Sequence, residues 1–275
     1  MNARRLAVRR ALPLALMAAS GFAGLGYQIV WTEQCSLALG HDSAAVLAVV
    51  TAFLGGLGLG GIVLGAPIER SLRPLRWYAA CELVVAAWSL ALSFVAPAFH
   101  DVLGRAIGFH ASPGRQWVLA FLGTFGLFLP ATAAMGAALP AMERLTHELE
   151  RRGRSIAGLY AANTFGAVLG VLVAAFWWVP ALGLRHTAAA CSGLNLGCAV
   201  LALAALPSTA PPAAPAPPEP GARAGVVKLA VTGFLGIGYE VLVVRVLSQL
   251  TEDTVYTFAL LLAVYLFGSA FGAAA

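Results

Sequence analysis

The ionisable side chains Glu82, Glu240, Arg245 and Glu33 sit within or at the ends of runs that are otherwise apolar, together with the polar Gln28, Asn163 and Asn195. In a hydrocarbon environment a charge costs at least ~2.5 kcal/mol, so each such group must face a packed interior or a water-filled cavity and find a partner. Two kinds of chemistry fit that situation. The groups can mark the path of a solute or ion, or they can bond helix to helix. Glu240 and Arg245 are five residues apart, which is off the spacing that pairs best along one helix. At the same spacing earlier in the chain stand Gln28 and Glu33. A pair between Glu33 and Arg245 would join the two stretches, and we treat that pairing as a hypothesis of the sequence.

Soluble catalysis has no comparable set of residues. The five histidines fall in loops or at helix ends, and the four cysteines, Cys35, Cys81, Cys191 and Cys198, lie in or beside apolar spans without a CxxC or Cys/His spacing. The sequence therefore offers no catalytic residue, no metal site and no cofactor site. The run Gly56-Leu57-Gly58-Leu59-Gly60-Gly61 satisfies G-x-G-x-x-G, but it lacks the strand–turn–helix setting that a dinucleotide site requires. Close helix packing is the better reading, and Gly56/Gly60, Gly61/Gly65 and Gly166/Gly170 each have the GxxxG spacing for it.

The elements that carry these residues follow from composition. The chain is 60% hydrophobic and only 11% charged, against roughly 25% charged in a soluble domain. Its mean hydropathy is +0.84. Apolar runs near the length of a bilayer crossing recur along it, so the fold class is all-α: a polytopic integral membrane protein of about eight transmembrane helices, with the lipid bilayer as its first partner. We place the spans at about 11–34, 43–66, 77–98, 116–142, 155–180, 187–206, 226–247 and 254–273. Residues 99–115 read as a longer loop with room for a short interfacial helix. Pro207 to Gly221 holds seven prolines in fifteen residues and reads as a semi-rigid linker. The domains are then a six-helix bundle at 1–206, a linker at 207–225 and a further helix pair at 226–275.

The helix pair repeats the start of the chain. Gly21-Phe22-Ala23-Gly24-Leu25-Gly26-Tyr27-Gln28 aligns with Gly233-Phe234-Leu235-Gly236-Ile237-Gly238-Tyr239-Glu240, at an offset of 212 residues that holds without a gap to Gly60 and Gly272. Most of the identities are glycines, and one is a tyrosine, residue types whose positions matter in packed helices. Net charge is +5, but the basic residues are grouped in short loops, without the aromatic interleaving that binds nucleic acid. With the N-terminus in the cytoplasm, thirteen of the seventeen Lys and Arg fall on the inner side, as the positive-inside rule requires. Helices 1 and 7 then point the same way. That makes the repeat parallel, the relation between the halves of a major-facilitator-type transporter, with an incomplete second half.

Several of these stretches resemble a known family. Gly65-Ala66-Pro67-Ile68-Glu69-Arg70-Ser71-Leu72-Arg73 is similar to the loop G-x-x-x-D-R-x-G-R of major facilitator transporters, which makes Glu69, Arg70 and Arg73 a candidate conformational loop. Gly24 to Trp31, the loop Arg73-Pro74-Leu75-Arg76 leading to Glu82, Leu129-Pro130 with Met135 to Pro140, and Tyr160 to Ala167 resemble, in that order, the membrane region of bacterial fused spermidine synthase-like proteins. Tyr239-Glu240 with Arg245 fits that family's Tyr-Glu…Arg pattern, whereas Gln28 and Glu33 depart from it. The resemblance implies a bacterial inner-membrane protein with a transporter-like region, joined beyond Ala275 either to further helices or to a soluble aminopropyltransferase-like domain. None of that domain's Gly-rich loop or acidic residues occurs in the 275 residues. The implied functions are a transporter-like module for an unknown solute, a polyamine or other cation among the options, the anchor of an aminopropyltransferase, or a scaffold.

Overall fold

In hydrocarbon every backbone N–H and C=O must be bonded within the protein, and a helix does this within one segment. The computed structural model accordingly contains only helices among its described residues, which are 3–39, 43–108, 112–146, 152–206, 222–250 and 255–274. The Pro-rich stretch 207–221 lies outside them, as do most of the turn at 40–43 and part of the charged loop at 143–154. The described residues form eight α-helices: α1 (Ala3–Leu39), α2 (Ser43–Arg70), α3 (Pro74–Ile107), α4 (Pro113–Thr146), α5 (Arg152–Val173), α6 (Val179–Ala205), α7 (Ala222–Leu250) and α8 (Val255–Ala274).

Among the described residues, five stretches are long and apolar enough to cross a membrane: Ala11–Ser36, Ala48–Arg70, Pro74–Phe99, Gly114–Thr146 and Ile156–Ala205. The last has 50 residues, more than twice the ~20 that one crossing needs. Tyr256–Gly272 is apolar but shorter. Large apolar side chains cover the outside, with Ile62, Phe94, Trp177, Phe234 and Val264 all strongly exposed. Such a surface suits contact with lipid and would be a liability in water.

Two expected boundaries move. No loop separates the fifth and sixth helices. A π-helical segment, Ala174–Trp178, links α5 directly to α6, and the chain breaks direction at Gly183 alone, with φ 77° and ψ 170°. Only glycine takes that conformation without strain, so one residue does the work expected of a loop. Likewise 99–115 is mostly helix. α3 continues to Ile107, and Gly108, again at positive φ, closes it by donating its N–H to Gly104 O. The hydropathy of the sequence ends where the apolar run ends, whereas backbone hydrogen bonding carries a helix past it.

α2 packs on α4, α1 on α5, α3 on α4 and α6, and α8 on α5. Glycine sets the closest approaches. A side chain at Gly56 or Gly60 would overlap Thr132 or the backbone of Ala133, and one at Gly166 or Gly170 would overlap the backbone of Ala18 or Phe22. Two of the three GxxxG pairs therefore pack helices, while Gly65 of the third meets no atom. The main core is aromatic at its centre: Trp31 stacks on Phe128 with ring centroids 4.6 Å apart and on Tyr27 at 5.7 Å.

Candidate functional site

α1 presents polar groups on two faces. Ser20 and Tyr27, seven residues and so about two turns apart, share one of them. They meet Glu82 of α3 and the pair Ser192/Asn195 of α6. Glu82 is fully buried at 1% exposure. One of its carboxyl oxygens accepts from Ser20 Oγ at 2.7 Å and the other from Asn195 Nδ2 at 2.6 Å. The Tyr27 hydroxyl lies 3.0 Å from Ser192 Oγ and 3.1 Å from Asn195 Oδ1, dividing its proton between them. Ser192 Oγ in turn donates to the backbone oxygen of Ala86 at 3.1 Å. The network joins α1, α3 and α6 and gives each oxygen of the buried carboxyl a donor, which is what burial of such a group demands.

The next residue of α1, Gln28, faces elsewhere. It lines a cavity of about 340 Å³ whose walls come from α1, α2, α5, α7 and α8. Gln28 is 3% exposed. Asn163 of α5 lines the same space. The apolar lining includes Leu25, Val50, Leu54 and Leu262, and the aromatic lining Phe53, Tyr160 and Tyr265. Thr232, Gly233 and Gly236 contribute the α7 wall. Gly233 and Gly236 are the repeat counterparts of Gly21 and Gly24. Residues of both copies thus face one space.

The polar residues singled out in the sequence are divided between these places. Gln28 and Asn163 come together at the cavity, and Glu82 belongs to the separate three-helix network. The backbone of Asn163 packs closely against Gly21, and the residue lines the cavity. Glu33 is half-buried farther along α1. Glu240 and Arg245 are on α7, but their side chains lie outside the described residues, and with them the Glu33–Arg245 pair.

The candidate loop is largely helix: Glu69 and Arg70 form the last turn of α2, and Arg73 precedes α3. Arg144 of α4 donates from Nε to the backbone oxygen of Glu69 at 3.1 Å, satisfying one of the carbonyls that a helix end leaves open. Ser20, Ser192 and Thr232 were not singled out in the sequence. The i,i+3 spacing of Ser192 and Asn195 on one helix face was the available signal for the first network.

No family model, curated protein or solved structure matches the chain. The fold and the apolar surface define a class on their own: a multi-pass helical membrane protein in contact with the lipid bilayer.

Proposed function

We propose that the chain is a transporter-type membrane module of the major-facilitator kind, in which two parallel copies of a helix pair enclose a solute site. The observation that carries this reading is the cavity lined by both copies, with Gln28 from α1 and Thr232, Gly233 and Gly236 from α7. A solute site at the interface of repeats is where secondary transporters bind their cargo. The ungapped 212-residue offset between residues 21–60 and 233–272 supports the repeat, and the grouping of Arg and Lys supports a cytoplasmic N-terminus. On the likeness to spermidine synthase-like proteins we place the protein in a bacterial inner membrane.

Alternating access is the test. Cysteines are introduced at Gln28 and Asn163 in a chain whose four native cysteines, all buried, are replaced by alanine. Membrane-impermeant maleimides are then applied to right-side-out and inside-out vesicles. A transporter exposes each position to both sides over time. Labelling from neither side, or from one side only under every condition, would remove the transport reading and leave a scaffold.

A further inference from the structure

We infer that Glu82 is a proton-binding site, and that taking up one proton turns the Asn195 amide over and completes the hydrogen-bond network across α1, α3 and α6. Five links hold that network: Ser20–Glu82, Glu82–Asn195, Asn195–Tyr27, Tyr27–Ser192, and Ser192 to the backbone oxygen of Ala86. Each link needs a proton. With the carboxylate ionised, four are on hand: those of Ser20, Tyr27 and Ser192, and the one that the Asn195 NH2 group directs at Glu82. Ser192 commits its proton to Ala86, and Tyr27 has one proton for two acceptors, Ser192 Oγ and Asn195 Oδ1. One link is therefore always short. The buried hydroxyls of Tyr78 and Ser89 make no hydrogen bond among the described residues and supply none to the network.

A proton from solvent removes the shortfall. It forms an O–H bond on Glu82 Oε2, and no bond of the protein breaks. Turning the Asn195 amide over exchanges its oxygen and nitrogen in nearly the same space. Glu82 then donates to Asn195 Oδ1, the Asn195 NH2 group to the Tyr27 oxygen, Tyr27 to Ser192 Oγ, and Ser192 to Ala86. Ser20 still donates to Glu82 Oε1, and every link has its own proton. The spacing fits this arrangement. The 2.6 Å between Glu82 and Asn195 is below the ~2.7–3.2 Å usual for N–H···O and inside the ~2.5–3.0 Å of O–H···O. The 3.1 Å between Asn195 and Tyr27 suits N–H···O.

The surroundings leave the proton without a competitor. Among the described residues, the titratable groups within electrostatic reach of Glu82 are Tyr27 on α1, Tyr78 and Cys81 on α3, and Cys198 on α6. None of these can carry a positive charge. α4, also packed on α3, has no titratable residue from Gln116 to Met142. Arg185 of α6 lies over the ring of Phe94, twelve residues and so about 18 Å along α3 from Glu82. Ser20 is half-buried whereas Tyr27, Glu82, Ser192 and Asn195 are buried, so the proton has its way in at the Ser20 end. The inference does not rest on the cavity or on transport.

The experiment uses the full chain in lipid nanodiscs, across the pH range in which thermal unfolding shows it to stay folded. Infrared spectra read the C=O stretch of a protonated carboxyl, and subtracting the Glu82→Gln spectrum isolates position 82. Nitrogen-15 label in asparagine side chains reads the amide by NMR. The chain has only three asparagines, Asn2, Asn163 and Asn195, and loss of a signal in Asn195→Leu assigns the third. In the wild type a carboxyl band equivalent to one proton per chain should appear as pH falls, and the Asn195 signal should shift with the same midpoint. Glu82→Gln offers an N–H donor and a C=O acceptor where the protonated acid has O–H and C=O. Its Asn195 signal should therefore hold the low-pH position at every pH. If Glu82→Gln does not fold, the wild-type band and the Asn195 shift carry the test together with Ser20→Ala, which removes a donor from the carboxyl and should move the band to higher frequency. The inference is overturned by a band absent at every pH, by an Asn195 signal that stays fixed while the band appears, by one that moves in Glu82→Gln as in the wild type, or by a band that Ser20→Ala leaves in place.

Discussion

Glu82 and Asn195 are 113 positions apart in sequence and 2.6 Å apart in space. Asn195 serves two partners at once, donating to the Glu82 carboxyl and accepting from Tyr27. Replacing it with leucine leaves a buried carboxyl oxygen short of a donor and fills polar space with hydrocarbon. Asn195→Leu should cost about 1–2 kcal/mol, the upper part of the range for interhelical hydrogen bonds in membrane proteins, read as a lower unfolding midpoint in detergent. In the Glu82→Leu background the same change should cost less, because the group it deprives is already gone; strict additivity of the two would mean that the bond does not contribute.

That Glu82 needed a buried partner could be read from the sequence, because a carboxyl in an apolar run must find one. Which residue it finds could not. In a membrane protein the core and the lipid are both apolar, so the periodicity that turns a soluble helix toward its core is lost. The rotation of α3 and α6, and hence their meeting at residues 82 and 195, is set by packing. Gln28 and Tyr27 make the same point: adjacent polar residues serve a cavity and a network that sequence reasoning did not separate.

Among the elements, glycines are what the sequence could use, and they decide how closely helices approach. Within the run Gly56 to Gly60 the three glycines are not equivalent. Gly60 faces the backbone of Ala133 and Gly56 the side chain of Thr132, while Gly58 faces no atom within 4 Å. Gly60→Leu should therefore force α2 and α4 apart and cost about 1–3 kcal/mol or more, whereas Gly58→Leu should leave the unfolding midpoint nearly unchanged. Equal losses at both positions would contradict the packing described for α2 and α4. The GxxxG spacing located two of the helix contacts and misdirected at Gly61/Gly65, since spacing records that a close approach is permitted and cannot say that a neighbour is there. The join between α5 and α6 escaped the sequence for another reason. Apolar residues continue through Trp177 and Trp178, and one glycine at positive φ turns the chain without the polar loop that hydropathy looks for.

At the scale of the whole molecule, the repeat makes a statement about where its two copies meet. Glycines of the first copy are covered by neighbouring helices: Gly21 by α5, and Gly56 and Gly60 by α4. Their counterparts Gly233, Gly268 and Gly272 meet no atom within 4 Å among the described residues. What the second copy does share with the first is the cavity, which Gln28 and Thr232 both line. Two cysteines placed at Gln28 and Thr232, in the chain with its native cysteines replaced, should be bridged by a short bifunctional maleimide. A protease site inserted within residues 207–221 makes the result legible on a gel. Cleavage separates α1–α6 from α7–α8, and only a bridged protein stays at full size. A control pair, Gln28→Cys with Val264→Cys, places the second thiol on a side of α8 that is 74% exposed and does not line the cavity, so it should come apart on cleavage. If the first pair separates as completely as the control, the two copies do not enclose a common space, and a solute site between them has no walls to form it.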